Sequence, residues 1–386
     1  MDQQRFLDLA FQIMPLPTAP YHEHFVIAAV QDFVTTRPGI RLSMDPCGNL
    51  LLRYDGRKRK TRRQGYLIAT AHLDHPGLGF AEHLSATDFL FEQLGGVDPR
   101  LAYQAGVLIY HLGVPCVQPP VRGQITAFLQ EESGAPPAFT VKVQEGDPQT
   151  IGPGSFAMWD LEALEKRDCR LWGRACDDLA GVTAGLAFLD ELNRQQLPVR
   201  AGLLLTRAEE TGFGGMLAAV RAGYLDSAAT YLNLECSSIR AGAVLGEGPV
   251  IRVGDRWWIF DPAICGGLAR LARQLASADT GFRFQRKLMD AGTCEATVLT
   301  SAGYRTGALA LPLKNYHNTG KKRLRPEGIH LNDALGLVDL LVCLACQPEG
   351  MHHTFQTAIR EVDKLLTRRY VKSVSRLRKS LEWPRR

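Results

Sequence analysis

Carboxylates and single histidines follow several apolar runs of this 386-residue chain. Glu209 and Glu210 are the most informative pair, because they end the apolar run 201–208. A carboxylate at the end of a buried strand is costly unless its charge is paired or used. Other such side chains end further apolar runs: His72, Asp74, Asp177, Asp178, Glu235 and His317. Two histidines with several carboxylates suit a pair of divalent metal ions, with one carboxylate left over as a base.

The spacing within two of the motifs indicates separate roles. His72 and Asp74 are two residues apart, so an extended segment points both side chains the same way. A carboxylate there can fix one imidazole nitrogen while the other binds a metal. Glu209 and Glu210 are adjacent and point in different directions, which predicts one ligand and one general base. Each motif alone also fits an ordinary turn or a solvated loop.

The other candidates have structural interpretations of their own. Asp177 and Asp178 begin a helical pattern, where a single aspartate is usually only a cap. Two in a row, with Gly181 close behind, indicate that one carboxylate bridges two metals. Glu235 and His317 each follow a strand, and either alone fits a hydrogen-bonded loop residue. The prediction of a metal site therefore depends on the whole set at five strand ends.

The elements that must position these residues alternate between strand and helix after residue 173. Apolar periodicity predicts strands at 202–206, 229–234 and 306–311 and helices at 182–192, 215–222, 264–275 and 328–346. Such alternation predicts an α/β fold with a mixed, largely parallel central sheet flanked by helices. Ligands bind at the carboxyl ends of the strands in such sheets, so the candidate residues should converge on one edge.

The composition divides the chain into three parts. Between 79 and 171 short alternating segments rich in Gly, Pro, Val and Thr replace long helices, which predicts an inserted small β-domain. Residues 1–78 and 172–349 then form the main domain. Residues 350–386 carry ten Lys or Arg and three Asp or Glu, so the rest of the chain has a net charge of −2. This part is predicted to be a basic helical tail.

The tail has two interpretations. Its apolar residues have roughly helical spacing with Arg and Lys between them: Ile359, Val362, Leu365, Leu366, Tyr370, Val374 and Leu377. A helix packed on the body with a solvated basic face fits this pattern. A basic amphipathic helix for an acidic partner, RNA or a membrane surface fits it as well.

Composition also limits the class of protein. The apolar fraction of 45% and the charged fraction of 22% are ordinary for soluble globular proteins. No apolar stretch reaches the roughly 18 residues that indicate a membrane span, and the first residues lack the layout of a signal peptide. The nine cysteines are scattered, which predicts a reducing cytoplasm. The charged run 56–63 predicts a solvated turn. Nucleic acid is not an expected partner, although the basic tail leaves it open.

Taken in order, these motifs resemble the tetrahedral-aminopeptidase and glutamyl-aminopeptidase family of dinuclear metallopeptidases, in the zinc aminopeptidase clan. The resemblance covers nearly the whole chain through short segments: 17–21, 45–49, 71–74, 95–99, 122–125, 177–181, 208–212, 245–250, 290–293 and 316–317. It implies a zinc-peptidase-like fold with an inserted, β-barrel-like dimerisation domain. It also implies a homo-oligomer assembled through that domain.

The same resemblance implies an activity and a role for each candidate residue. The activity is that of an aminopeptidase, which removes N-terminal residues from peptides with a metal-bridged water as nucleophile. The cofactors are two divalent metal ions, expected to be zinc, with cobalt or manganese as alternatives. The implied roles are Asp177 as the bridge, His72 with Glu235 at one metal, Glu210 with His317 at the other, Glu209 as the general base and Asp74 to orient His72.

Departures from the family pattern keep alternatives open. The family usually has Asp at the position of Glu235, Arg at that of Leu179, and an Arg-Tyr pair at those of Lys314 and Asn315. A metal-dependent deacylase or other amidohydrolase on the same site is one alternative. A catalytically silent binding protein that keeps the fold is another. Retention of Glu209 and of all five ligand types argues against the silent protein.

Overall fold

The computed structural model describes residues 1–56, 66–111, 119–130 and 136–380. Most of the predicted charged turn at 56–63 lies outside the described residues. The helices are α1 Gln3–Ile13, α2 His24–Thr35, α3 Pro99–Ala102, α4 Cys176–Arg194, α5 Gly214–Arg221, α6 Pro262–Ala278, α7 Glu295–Ser301, α8 Leu331–Ala345 and α9 Met351–Ser380. The strands are β1 Ile40–Met44, β2 Leu50–Asp55, β3 Leu67–His72, β4 Gly77–His83, β5 Asp88–Leu94, β6 Gly106–Tyr110, β7 Val121–Leu129, β8 Ala138–Glu145, β9 Phe156–Trp159, β10 Leu164–Arg167, β11 Arg170–Gly173, β12 Arg200–Thr206, β13 Thr230–Ser238, β14 Val250–Gly254, β15 Gln285–Leu288, β16 Arg305–Leu313 and β17 Glu327–His330.

A mixed eight-stranded sheet of order β1-β2-β12-β3-β13-β16-β14-β15 forms the centre of the larger part. The middle strands β12, β3, β13 and β16 are parallel. Parallel strands are covered on both faces, so they consist of nearly continuous apolar residues. Every residue of β3 is buried, and α4 packs against β3 and β13. The predicted α/β fold with a largely parallel sheet is confirmed.

Some elements differ from the prediction. The predicted helix 328–346 is wrong over its first three residues, because β17 ends at His330 and pairs antiparallel with β11. Gly328 lies there against the Trp172 ring, which leaves no room for a side chain. Strands β14 and β15 and helix α7 were not predicted. The two strands lie at one end of the sheet, and α7 packs on β13 and β16. All three elements are short, so no long apolar pattern marks them.

Six of the strands form a closed barrel of order β4-β5-β8-β7-β6-β9. Its core contains the aromatic side chains of Phe89, Phe91, Phe139 and Trp159. Leu324, from the loop after β16, also packs in this core. Strands β10 and β11 lie outside the barrel, and β11 pairs with β17 of the larger part. The division of the chain at 79–171 and at 350 stays a prediction.

The first turns of α9 pack across α6. Phe355 is fully buried, and a Cβ at Gly267 would lie 2.4 Å from its ring. Glycine at this crossing therefore allows the close approach of the two helices. Among the described residues, no helix is long and apolar enough to cross a membrane.

Candidate metal centre

The carboxyl ends of the parallel strands bring the candidate residues to one edge of the sheet. His72 is the last residue of β3, and Glu235 lies near the end of β13. Glu209 and Glu210 follow β12 in a loop, and His317 follows β16. Asp177 joins them from the first turn of α4. This is the convergence that the sheet topology predicts.

The five predicted ligands form two groups that share Asp177. In one group, His72 Nε2 lies 3.4 Å from Asp177 Oδ1 and 3.7 Å from Glu235 Oε1. In the other, His317 Nε2 lies 3.1 Å from Glu210 Oε1 and 3.6 Å from Asp177 Oδ2. Within each group of three, one candidate ligand atom per residue lies within 4.8 Å of the others. Asp177 therefore turns one oxygen towards each group.

The hydrogen bonds of the two histidines fix which nitrogen faces the centre. Nδ1 of His317 lies 2.7 Å from the Gly96 carbonyl oxygen, and Nδ1 of His72 lies 3.1 Å from the Asp74 carbonyl oxygen. A carbonyl only accepts, so each Nδ1 donates, and each neutral ring presents a lone pair at Nε2. The carboxylate oxygens that face Nε2 are acceptors too. A cation placed between them would bind the Nε2 lone pair and the carboxylate oxygens at the same time.

The centre has more carboxylates than histidines, and several of its buried atoms lack hydrogen-bond partners. Four of its buried atoms have no hydrogen-bond partner among the described residues: Asp177 Oδ1, Glu210 Oε1, Glu235 Oε2 and His317 Nε2. Burial, with the charge of Glu235 next, raises the pKa of Asp177 to about 8. Burial lowers the pKa of His317, but Glu210 and Asp177 outweigh it and raise that pKa to about 10. These residues fit two divalent cations that share Asp177.

The loop that carries Glu209 and Glu210 is held by a buried carboxylate. Asp74 accepts the backbone N–H of Glu209 at 3.0 Å through Oδ1 and that of Glu210 at 3.1 Å through Oδ2. Its Oδ1 is also 3.6 Å from His72 Nδ1. Ala208, just before the pair, has a left-handed backbone with φ 52°. Burial raises the pKa of Glu209 well above its usual value, as suits a general base.

Three residues behind Asp177 were not predicted. The Asp177 backbone N–H donates to Glu327 Oε2 at 3.0 Å, and its carbonyl oxygen lies 2.5 Å from His75 Nδ1. The other ring nitrogen of His75 lies 2.9 Å from Asn318 Oδ1. These contacts hold the main chain of Asp177 on both sides. The second histidine of the sequence His-Leu-Asp-His could have indicated His75, whereas no pattern marked Glu327.

The neighbours of the candidate ligands have structural roles. Asp178 accepts the backbone N–H of Gly181 at 3.2 Å and that of His72 at 3.4 Å, as a helix-capping side chain does. Cys176 and Cys236 are buried, and burial raises the pKa of both thiols well above the usual value. A thiol in this state is a poor nucleophile, which agrees with the predicted core role.

A pocket of about 250 Å³ opens beside the centre. Four of the five candidate ligands line it together with Glu209, and so does Tyr316, whose ring is stacked on that of His317 at 3.8 Å. Two arginines line the pocket as well, Arg240 and the buried Arg252. Nη1 of Arg252 donates to Ser237 at 3.3 Å, while its Nε has no partner among the described residues. The pocket is therefore lined both by carboxylates that could bind cations and by guanidinium groups that could bind anions.

Comparison with known proteins identifies the family. The sequence profile described as M42 glutamyl aminopeptidase matches residues 48–325, the range that contains all seven candidate site residues. A TET aminopeptidase from a Thaumarchaeota archaeon superposes with a TM-score of 0.74 at 15% identity, over 92% of this chain and 99% of its own. An aminopeptidase from Desulfurococcus kamchatkensis gives 0.73 at 20% identity, over 92% and 98%. The TET1 peptidase of Pyrococcus horikoshii gives 0.70 at 20%, over 88% and 99%. The chain belongs to the M42 glutamyl aminopeptidase family, a family of peptidase hydrolases.

Proposed function

We propose that the protein is an aminopeptidase that uses two divalent metal ions, and we expect these ions to be zinc. The observation that carries this proposal is the pair of ligand groups that share Asp177, in which four buried atoms have no hydrogen-bond partner among the described residues. His72 and Glu235 would hold one ion, Glu210 and His317 would hold the other, and Asp177 would contribute an oxygen to each. Glutamate at position 235 has the same donor atoms as the aspartate usual in the family, and its Oε1 lies near His72.

The catalytic steps of the chain follow from its own residues. Two divalent ions held there would supply the Lewis acidity that polarises a peptide carbonyl and lowers the pKa of water. Glu209 accepts the proton of the attacking water and returns it to the leaving amine. Asp74 holds the backbone of Glu209 in place during both transfers. Burial raises the pKa of Glu209, which brings it nearer the range of an effective base.

The pocket supports a short substrate with an acidic first residue. Its volume of about 250 Å³ is just below the range of about 300 to 1,000 Å³ that is usual for ligand sites. Such a space suits the N-terminal residue of a peptide better than a long internal segment. Arg252 and Arg240 face this space, and guanidinium groups bind carboxylates through paired hydrogen bonds. We therefore expect N-terminal Glu or Asp to be preferred over Leu.

Assembly is the second part of the proposal. The solved TET1 peptidase is described as forming a tetrahedron or a large octahedral shell, and a related structure is a dodecamer. We propose that this chain also forms a homo-oligomer, with the barrel of β4 to β9 as a contact surface. Sedimentation of the purified protein measures this directly, and a monomer at all concentrations would contradict it.

The experiment compares free and blocked substrates on the zinc-loaded protein. We expect hydrolysis of the p-nitroanilides of Glu and Asp, slower hydrolysis of that of Leu, and no hydrolysis of N-acetyl-Glu p-nitroanilide. Glu209→Gln keeps its metal and loses activity by about 10²–10⁴-fold, the usual contribution of a general base. Release of acetate from N-acetyl-Glu, without release of p-nitroaniline from Glu p-nitroanilide, would favour a deacylase. Metal-loaded protein that is inactive on every substrate would favour a silent binding protein.

A further inference from the structure

The C-terminal helix α9 is anchored over its first turns and exposed over the rest. Phe355 is buried against Gly267, and Ala358 is in contact with Gly266. Within the described part of the chain, the ion pair of Glu361 with Arg270, at 2.9 Å, is the last one that joins α9 to the body. Beyond it, residues 362–380 form what we name the outer segment. All of its residues are exposed except Val374, which is half-buried.

The outer segment has an apolar stripe that nothing in the described structure covers. At 3.6 residues per turn, the stripe spans about 120° of the helix surface. Four of its side chains are more than half exposed: Val362 at 57%, Leu366 at 54%, Tyr370 at 61% and Leu377 at 62%. The complete stripe consists of Val362, Leu366, Tyr370, Val374 and Leu377. The interpretation of the tail as a helix packed on the body with a solvated basic face is therefore wrong for this segment.

The rest of the helix surface is cationic. The outer segment contains seven Lys or Arg and one Asp, a net charge of +6. On a helical wheel, these cations occupy the half turn opposite the stripe and both its borders: Lys364, Arg368, Arg369, Lys372, Arg376, Arg378 and Lys379. The stripe itself is interrupted only by Ser373 and by Asp363, which lies at the end nearest the body. A partner must therefore be apolar along its middle and anionic around it.

These properties exclude two kinds of occupant and disfavour a third. A second copy of the same segment would place +6 against +6 across the contact. RNA would neutralise the cations but leave the apolar stripe in water. An acidic helix seated on the stripe would reach the cations at its borders, but not those about 10 Å away on the far side of the helix. An anionic lipid surface is continuous, and its potential extends over about 8 Å at physiological salt.

We propose that the outer segment of α9 lies in the surface of an anionic lipid membrane. The stripe enters the boundary of the acyl chains, and the flexible Lys and Arg stems carry their charges up to the lipid phosphates. Tyr370 lies at the centre of the stripe, with an apolar ring and a polar hydroxyl that suit this boundary. The anchored first turns then hold the peptidase body at the membrane surface. This inference is independent of the proposed catalytic function.

The test is co-sedimentation of the full-length protein with lipid vesicles. One set contains phosphatidylcholine alone, and the other contains added phosphatidylglycerol. The stripe variant is Leu366→Asn with Tyr370→Asn. The matched control is Leu365→Asn with Val371→Asn, which changes residues of similar exposure, 48% and 63%, on the cationic side. A third variant, Arg369→Gln with Arg376→Gln, removes two cations beside the stripe.

We expect the wild type and the matched control to bind only the vesicles that contain phosphatidylglycerol. The stripe variant binds at least tenfold more weakly. The cation variant binds about thirtyfold more weakly, at about 1 kcal/mol for each cation near an anionic surface. Equal thermal unfolding midpoints of all four proteins show that the changes leave the fold intact. If the double stripe variant unfolds, Tyr370→Asn alone replaces it.

Three results would overturn the proposal. Equal binding of the stripe variant and the matched control would mean that the cations adsorb without insertion of the stripe. Absence of wild-type binding to anionic vesicles would refute the lipid surface directly. Binding of the outer segment to RNA, to an acidic protein or to a second copy, with no vesicle binding, would assign the segment to that partner instead.

Discussion

The substitution Asp74→Asn tests how the chain holds its proposed base. The Asp74 carboxylate is fully buried and accepts the backbone N–H groups of Glu209 and Glu210, one on each oxygen. An asparagine side chain has the same shape but only one oxygen. Its amide N–H₂ would face one of the two backbone N–H groups. That hydrogen bond would be lost, and two hydrogen-bond donors would point at each other.

The magnitude follows from those two contacts. A hydrogen bond to a charged group contributes about 1.5–3 kcal/mol, and an unsatisfied buried donor costs about 1–3 kcal/mol. The loop can relieve this cost by moving, which takes Glu209 and Glu210 away from the centre. If the movement raises the activation free energy by about 3 kcal/mol, kcat/KM drops by roughly a hundredfold. The affinity for the metal beside Glu210 falls by about 10–100-fold, as for other residues behind metal ligands.

The chain offers a matched control for this experiment. Asp333 is also fully buried and also accepts two backbone N–H groups, from Gly246 at 2.8 Å and Gly248 at 2.7 Å. It does not line the pocket. Burial raises its pKa to about 6, so both variants are compared above that pH. We expect Asp333→Asn to lower the free energy of unfolding and to leave kcat/KM and metal content unchanged.

The assays are kcat/KM on Glu p-nitroanilide, metal content and denaturant unfolding for each protein. We expect Asp74→Asn to lose more activity than its loss of stability explains. If Asp74→Asn and Asp333→Asn lose similar stability and both keep wild-type kcat/KM, Asp74 does not hold the base in place.

Glu235→Asp shortens the side chain by about 1.5 Å, so the affinity for one of the two metal ions should fall while the other ion stays bound. Titration with a chelator measures this. Loss of both ions together would contradict separate sites. Arg252→Gln should lower kcat/KM on the Glu substrate much more than on the Leu substrate; an equal loss on both would mean that Arg252 acts through Glu235 instead. Burial first, then the charges of His22 and Arg207, lowers the pKa of His24 to about 4 from 6.5. The neutral ring therefore stabilises the fold fully above pH 6.5, and this stability is lost as the pH falls towards 4. His24→Phe should flatten the unfolding free energy over that range, and curves that stay parallel to wild type would refute the assignment.

The sequence could predict the residues whose position depends on a regular element. His72, Glu235 and His317 stand at or after strands with clear apolar patterns, so the topology of a parallel sheet brings them together. The order of the short motifs also identified the family. The role of Asp177 could not be predicted from the sequence pattern alone, because a capping aspartate and a bridging aspartate at the start of a helix have the same pattern. The structure separates them, because only Asp178 accepts the N–H of Gly181.

Other features could not be read from the sequence because they depend on contacts between distant segments. Glu327 supports Asp177 through a single backbone hydrogen bond across 150 residues. The strand that contains it was predicted as helix, since its pairing with β11 leaves no trace in apolar periodicity. Arg252 belongs to the unpredicted strand β14. The spacing of the tail indicated an amphipathic helix, but only the structure shows which of its apolar residues are buried and which are exposed.

Metal content is the most direct test of the central claim. Elemental analysis of the zinc-supplied wild type should find two equivalents per chain, and Asp177→Ala should lose both, because each ligand group contains one Asp177 oxygen. The matched variant Asp178→Ala removes the neighbouring cap and should keep most of the metal. A wild type that binds no metal after zinc is supplied would contradict the account. So would an Asp177→Ala variant that is folded and still holds two equivalents.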